Sequence, residues 1–234
     1  MKFKSLNELN KFLIDCRKCP RLVKWREKIA REKIARFKKW NYWGKPVPGF
    51  GSEKAELLIV GLAPAAHGGN RTGRMFTGDR SGDWLYRALY KSGFSNQPVS
   101  ISKDDGLKLN NCYITAIVRC APPENKPTSK EILNCNIYLK NEIALLKNIK
   151  VIITLGGLAF KTTIKTLNEL GFKKIDGNIK FSHGNVITFS KDRKNLKLIC
   201  SYHPSQRNTF TGKLTEEMFD EIFSKAIKFL SDVG

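Results

Sequence analysis

Long apolar runs are missing from this chain. No stretch approaches the ~18 consecutive apolar residues of a membrane-spanning helix. The N-terminus, MKFKSLNELNKFLIDC, lacks the apolar heart of a secretory signal. The expectation is a cytosolic protein without a membrane partner, nucleoid-associated if the source is a prokaryote. Histidine is scarce at three residues, and 21 acidic side chains face 42 Lys and Arg, a formal net charge of +21. Such an excess suits a polyanionic partner, above all nucleic acid, through phosphate neutralisation. A basic, solvated surface is the competing reading. Two phosphate-binding signatures are also absent. The stretch LLIVGLAPAAHGGNRTGRMFTGD (57–79) runs from an apolar segment into a Gly-rich loop. It has neither the Lys-Ser/Thr ending of a P-loop nor a Gly-x-Gly-x-x-Gly.

What is present reads as α/β. LLIVG (57–61), CYITAIV (112–118), VIITLG (151–156) and LKLICSYH (196–203) are short, β-branched and separated by helical pattern, as in a doubly wound parallel sheet. HGNVITFS (183–190) adds a hairpin strand. Helical spacing of Trp84, Leu85, Ala88 and Leu89 places a helix after the first strand. Thr128-Ser129-Lys130-Glu131 is a capping box opening another, of about 18 residues. A third follows Gly156-Gly157. Thr215 caps the last, whose Glu216, Glu217, Lys225 and Lys228 match the helix dipole. The tandem REKIAREKIARF extends a basic amphipathic helix over 21–40, docked on the domain. One domain over 1–234 is expected, with a basic helical segment at about 1–45.

Ligands in open α/β sheets bind beyond the carboxyl ends of the strands. That rule gathers the loops after Gly61, Val118, Leu155 and Tyr202, where most of the unusual residues lie. Of six cysteines, Cys112 and Cys200 sit in strand patterns as small buried hydrophobes. With no secretion signal, a disulfide framework is not expected. Cys16, Cys19, Cys120 and Cys135 could form an all-thiolate site, for structural zinc or for an iron–sulfur cluster. There is no second Cys-x-x-Cys to decide between them.

GLAPAAHGGNRTGRMFTGD (61–79), RCAPPENKPT (119–128) and SYHPSQRNTFTGKLT (201–215) resemble the three motifs of the uracil-DNA glycosylase superfamily. They are most similar to its fifth family, the type-b iron–sulfur enzymes of archaea and thermophilic bacteria. The resemblance runs from Cys16 to the last helix. It implies a three-layer α/β/α fold with a four-stranded parallel central sheet. It also implies a [4Fe–4S] cluster on Cys16, Cys19, Cys120 and Cys135, structural and not catalytic. The implied substrate is DNA, double-stranded and single-stranded, acted on by a monomer.

Such an enzyme flips a nucleotide into a pocket and hydrolyses its N-glycosidic bond, leaving an abasic site. The bond breaks with cationic character on the sugar and negative charge on the departing base. A flat stacking surface, a donor to the base and a carboxylate near the sugar answer those demands. By motif, Phe76 stacks the base, with Gly61 and Ala63 beside it. His203 donates to a base carbonyl oxygen. Asp79 activates water or steadies the cation, or else merely caps a helix. Asn125 holds water or base. Arg71, Arg74, Gln206, Arg207 and Asn208 meet DNA, with Gln206 and Arg207 placed to enter the vacated stack. His67 and His183 are read as structural or exposed. Better-known uracil enzymes carry a polar side chain early in the first motif, where this chain has GLAPAA, and an Asn on the second strand, where it has Ala116. A pocket without that side-chain reader rejects other bases less strongly, so hypoxanthine and other deaminated bases are implied besides uracil. The alternatives are a non-catalytic iron–sulfur DNA-binding module and a strict uracil enzyme of the fourth family.

Overall fold

The computed structural model describes residues 2–231; Met1 and residues 232–234, at the ends of the expected domain, lie outside them. Apolar runs supply the strands that matter most. β1 (Phe50–Gly51) is a two-residue edge, and β2 (Leu57–Gly61) is buried along its whole length. α3 (Gly69–Thr72) and α4 (Arg80–Lys91) follow, then β3 (Cys112–Ala116), α5 (Ser129–Leu145), β4 (Val151–Leu155) and α6 (Gly157–Glu169). β5 (Lys173–Asp176), β6 (Val186–Lys191) and β7 (Lys194–Ser201) precede α7 (Gln206–Phe210) and α8 (Glu216–Ser231). Ahead of them all lie α1 (Leu6–Ile14) and α2 (Pro20–Glu32).

The sheet is seven-stranded and mixed, in the order β1-β3-β2-β4-β7-β6-β5. The four expected strands form its parallel middle, β3-β2-β4-β7. Antiparallel β1 extends one edge, and the β7–β6–β5 meander extends the other. The expected four-stranded parallel sheet is therefore an undercount. β5 is solvent-exposed throughout, so KKID shows no apolar alternation to betray it.

Alternation along each strand produces the three layers. Leu58 and Val60 face a core filled by Leu9 and Leu13 of α1, Leu139 and Ile143 of α5, and Phe160 and Leu167 of α6. Leu57 and Ile59 face the opposite core, with Leu85 and Leu89 of α4 and Phe219 and Phe223 of α8. The capping box of α5 forms: the Thr128 hydroxyl accepts from Glu131 N at 3.3 Å, and the Glu131 carboxylate accepts from Thr128 N at 2.8 Å. Thr215 caps α8 through Met218 N at 3.2 Å.

The N-terminal segment departs from the expected single helix over 21–40. α2 stops at Glu32, and Lys33 turns through φ +54°. The chain then doubles back. Phe37 and Trp40 pack edge-to-face with each other and both lie against the Arg71 guanidinium, at 3.9 and 4.1 Å from their ring centroids. Breaking the helix is what brings both rings to it.

Candidate active site

Three of the four expected loops meet at the carboxyl ends of β2, β3 and β7. They enclose a pocket of about 510 Å³, within the range of small-ligand sites. Its walls include Ala63, Phe76, Asp79, Asn125, His203, Gln206 and Arg207. The Gly156-Gly157 turn is not on the wall. It backs the site, with Gly156 at φ +96° leaving 3.5 Å from an added Cβ to the His203 Cβ.

Phe76 is held in an unusual conformation, with a left-handed backbone at φ +53°. Non-glycine residues seldom adopt it, and such strain persists only where the surroundings fix it. Here they do. Tyr86 donates to the neighbouring Met75 carbonyl at 3.0 Å, and Gly82 alone leaves room for the Phe76 carbonyl. The ring lies directly over Gly61, where a Cβ would come within 2.6 Å of it. Gly61 is therefore the floor beneath the ring, not a wall of the pocket. Across the cavity the His203 ring faces Phe76 at 6.1 Å between centroids, tilted 32°.

Asp79 has two roles at once. It is the N-cap of α4, its carboxylate accepting from Gly82 N at 3.0 Å, and it lines the pocket. Burial raises its pKa above the ordinary carboxylate value, against the pull of the Gly82 and Ser81 N–H groups. Gly68 makes this possible, since a Cβ there would overlap the Asp79 carboxylate.

Burial lowers the His203 imidazole to about 4, so at neutral pH it is an uncharged N–H donor. Its place is set from both sides. The preceding residue's N–H, that of Tyr202, donates to His183 Nδ1 at 3.1 Å, and the Asn208 amide donates to the His203 carbonyl at 2.9 Å. His183 is thus structural, and Asn208 shapes the turn. His67 is structural as well, paired with the Tyr42 hydroxyl at 3.0 Å. Asn125 reaches the pocket from an exposed turn with φ +57°. Gln206 and Arg207 are exposed at the mouth.

The chain matches the uracil DNA glycosylase superfamily over residues 48–227. It is 50% identical over 225 residues to the type-5 uracil-DNA glycosylase of Mycobacterium tuberculosis, covering 96% of this chain and 81% of the relative. It is 46% identical over 214 residues to the type-5 enzyme of Thermus thermophilus, covering 92% and 93%. The type-4 uracil-DNA glycosylase of Archaeoglobus fulgidus is more distant, at 31% over 202 residues, covering 86% and 82%.

The chain belongs to this superfamily.

Two residues expected to meet DNA are turned inward on this glycosylase fold. Arg71 and Arg74 are 3% and 4% exposed. Arg71, against the Phe37 and Trp40 rings, donates to the His67 carbonyl at 2.7 Å and the Gly78 carbonyl at 3.1 Å. Arg74 pairs with Asp105 at 2.7 Å and donates to Ser100 and Thr77 at 2.6 and 3.0 Å. Their charge shapes the first-motif loop and is not free for phosphate. The cations at the pocket mouth are Arg207 and Arg80. Sequence reasoning passed over Arg80. Its guanidinium lies 4.8 Å from the ring of Phe210, which is 68% exposed, a large apolar group beside the mouth. An aromatic in an otherwise polar third-motif helix was the available signal.

Cys16, Cys19, Cys120 and Cys135 line one small pocket of about 20 Å³. N–H groups point at three of the sulfurs. Arg26 donates to Cys120 at 2.9 Å, Arg119 N to Cys135 at 3.3 Å, and Asn134 to Cys19 at 3.6 Å. Among the described residues, no three His, Cys, Asp or Glu side chains are grouped to hold a metal ion. Cys112 and Cys200 are fully buried in the strands. No helix among the described residues is long and apolar enough to cross a membrane.

Proposed function

We propose that this protein is a monofunctional DNA glycosylase that hydrolyses the N-glycosidic bond of uracil flipped out of DNA, leaving an abasic site. One observation carries the reading: Phe76, Asp79, Asn125 and His203, from three separated loops, line a single pocket. Passive binding of DNA needs no such convergence. The names of the relatives point the same way.

In this reading the base stacks on Phe76, and the neutral His203 N–H meets the carbonyl oxygen on which negative charge grows as the bond breaks. An uncharged donor suits that place, because a desolvated imidazolium would be costly before the charge appears. Asp79 faces the sugar, orienting the incoming water and stabilising the cationic carbon. Asn125 holds water or base through its amide. Gln206 and Arg207 stand where the vacated stack must be filled. Ala116, buried at the end of β3, supplies no amide to read uracil's edge, so hypoxanthine and other deaminated bases are further substrates. The substrate is duplex or single-stranded DNA, and the enzyme works as a cytoplasmic monomer. A duplex carrying one uracil should acquire an alkali-labile break at that position. No such break at any deaminated base, even with enzyme in excess, would sink the proposal.

We assign the space between the thiols to a [4Fe–4S] cluster held by Cys16, Cys19, Cys120 and Cys135. Four thiols around one space suit such a cluster, and N–H groups aimed at three of the sulfurs suit the charge it would place there. When bound, the cluster would cross-link the turn between α1 and α2 to the loop after β3 and to α5. Protein purified anaerobically should be brown with about four irons per chain. A colourless, zinc-loaded product would refute this assignment.

A further inference from the structure

Arg26 is a buried cation with no carboxylate in hydrogen-bond or ion-pair contact; the acid that acts on it, Glu27, is paired with Arg17. Arg26 is 2% exposed on α2, and its guanidinium reaches only the Cys120 sulfur at 2.9 Å and the Cys16 carbonyl at 3.2 Å. Its Nε has no partner. Two of the other buried arginines have carboxylate partners, Arg119 with Glu142 and Arg74 with Asp105. Arg71, whose Nη1 is unpartnered, donates to two backbone carbonyls and lies against the rings of Phe37 and Trp40. An unpaired guanidinium in such a place is strongly disfavoured, and a neutral thiol does not offset it. The missing negative charge must therefore sit on the sulfur side.

Cys120 is one of four thiols around a common space. Once they bind a metal group as thiolates, the assembly is net negative, and the guanidinium lies against it. Arg119 contributes in a lesser way. Its Nε and Nη1 are buried without partners and its side chain borders the same space, but Glu142 already balances its charge.

We infer that Arg26 is the counter-ion of the thiolate-bound group, its guanidinium stabilising the charge on Cys120 and retaining the group in the fold. This rests on the cluster assignment above. Arg26 touches no part of the reaction pocket, so it is a positioning residue for the cofactor.

The test uses anaerobically purified holoprotein, comparing wild type with Arg26→Met and Arg26→Lys. Two readouts are independent of glycosylase activity: the rate of iron transfer to an excess of ferrous chelator, and the midpoint potential from spectroelectrochemical titration. Arg26→Met should release iron at least about tenfold faster, the factor expected for losing a hydrogen bond to a charged group. It should also shift the potential to more negative values, because removing a nearby positive charge favours the oxidised form. Arg26→Lys should keep a potential close to wild type. If Arg26→Met does not fold, Arg26→Gln carries the same expectation. Equal iron release and an equal potential in the charge-neutral variant and wild type overturn the inference. Wild-type protein without iron overturns the cluster assignment itself, and the inference with it.

Discussion

Gly61→Ala puts a methyl group where the Phe76 ring now lies. The added Cβ would stand 2.6 Å from Cζ and 2.8 Å from Cε2 of the ring. Carbon atoms rest at about 3.5–4.0 Å, so the ring must retreat by roughly 1 Å. Retreat through the backbone is blocked, since Phe76 is already at φ +53° with its carbonyl against Gly82. The ring therefore swings towards His203, into the space proposed above for the base. Two effects follow. Overpacking of this kind costs about 1–3 kcal/mol, a Tm loss of roughly 2–4 °C per kcal/mol at this chain length. Displacement of the stacking surface by about 1 Å slows excision about 100-fold. Thermal melting and single-turnover cleavage of a uracil duplex, with enzyme in excess, read the two effects separately. The decisive comparison is the Phe76→Ala background. With the ring gone, the new methyl group has nothing to strike, and Gly61→Ala should then cost less than about 0.5 kcal/mol. An undiminished penalty in that background would refute the contact argument.

Asp79→Asn should keep the α4 cap and most stability yet lose most turnover, whereas Asp79→Ala loses the cap as well, at about 1 kcal/mol. Equal rates for wild type and Asp79→Asn would remove the carboxylate from the mechanism. Because burial raises the Asp79 pKa, the rate should fall as pH drops through a midpoint above the ordinary carboxylate value, and Asp79→Asn should lose that limb. His203 titrates at about 4 in the fold against 6.5 for the free side chain. The unfolded chain thus takes up a proton that the native state refuses, and this contribution to stability is complete above 6.5 and lost as pH falls towards 4. His203→Gln should flatten Tm against pH across that window, and a curve parallel to wild type would contradict the assignment. The net charge of +21 predicts affinity for DNA that falls steeply with salt; a flat log–log plot would leave the basic excess without a role in binding.

The parallel middle of the sheet was legible because β2, β3, β4 and β7 are buried runs of branched apolar residues bounded by turns. β1 and β5 were not, since two residues and an exposed charged tetrad carry no periodic signal. The pocket was legible from topology: residues beyond successive strand ends must meet. The fate of charge was not. Arg71 and Arg74 in a glycine-rich loop read as phosphate ligands, but their partners lie in the loop's own carbonyls and in Asp105, far along the chain. The helical repeat ending at Arg36 gave no warning that α2 stops at Glu32. Past that break, Phe37 and Trp40 meet Arg71, a partner more than thirty residues along the chain. Asp79 was readable as a cap and as a catalytic group; its carboxylate makes the cap and also lines the pocket.

The aromatic contacts of Arg71 redraw the boundary of the folded unit. The superfamily match begins at residue 48, yet Phe37 and Trp40 pack against the guanidinium that pins the turn before Asp79. A chain shortened to that match would expose a formerly covered cation and unfasten the loop from outside. Phe37 and Trp40 accordingly belong with the loop they cover, although they lie outside the matched stretch.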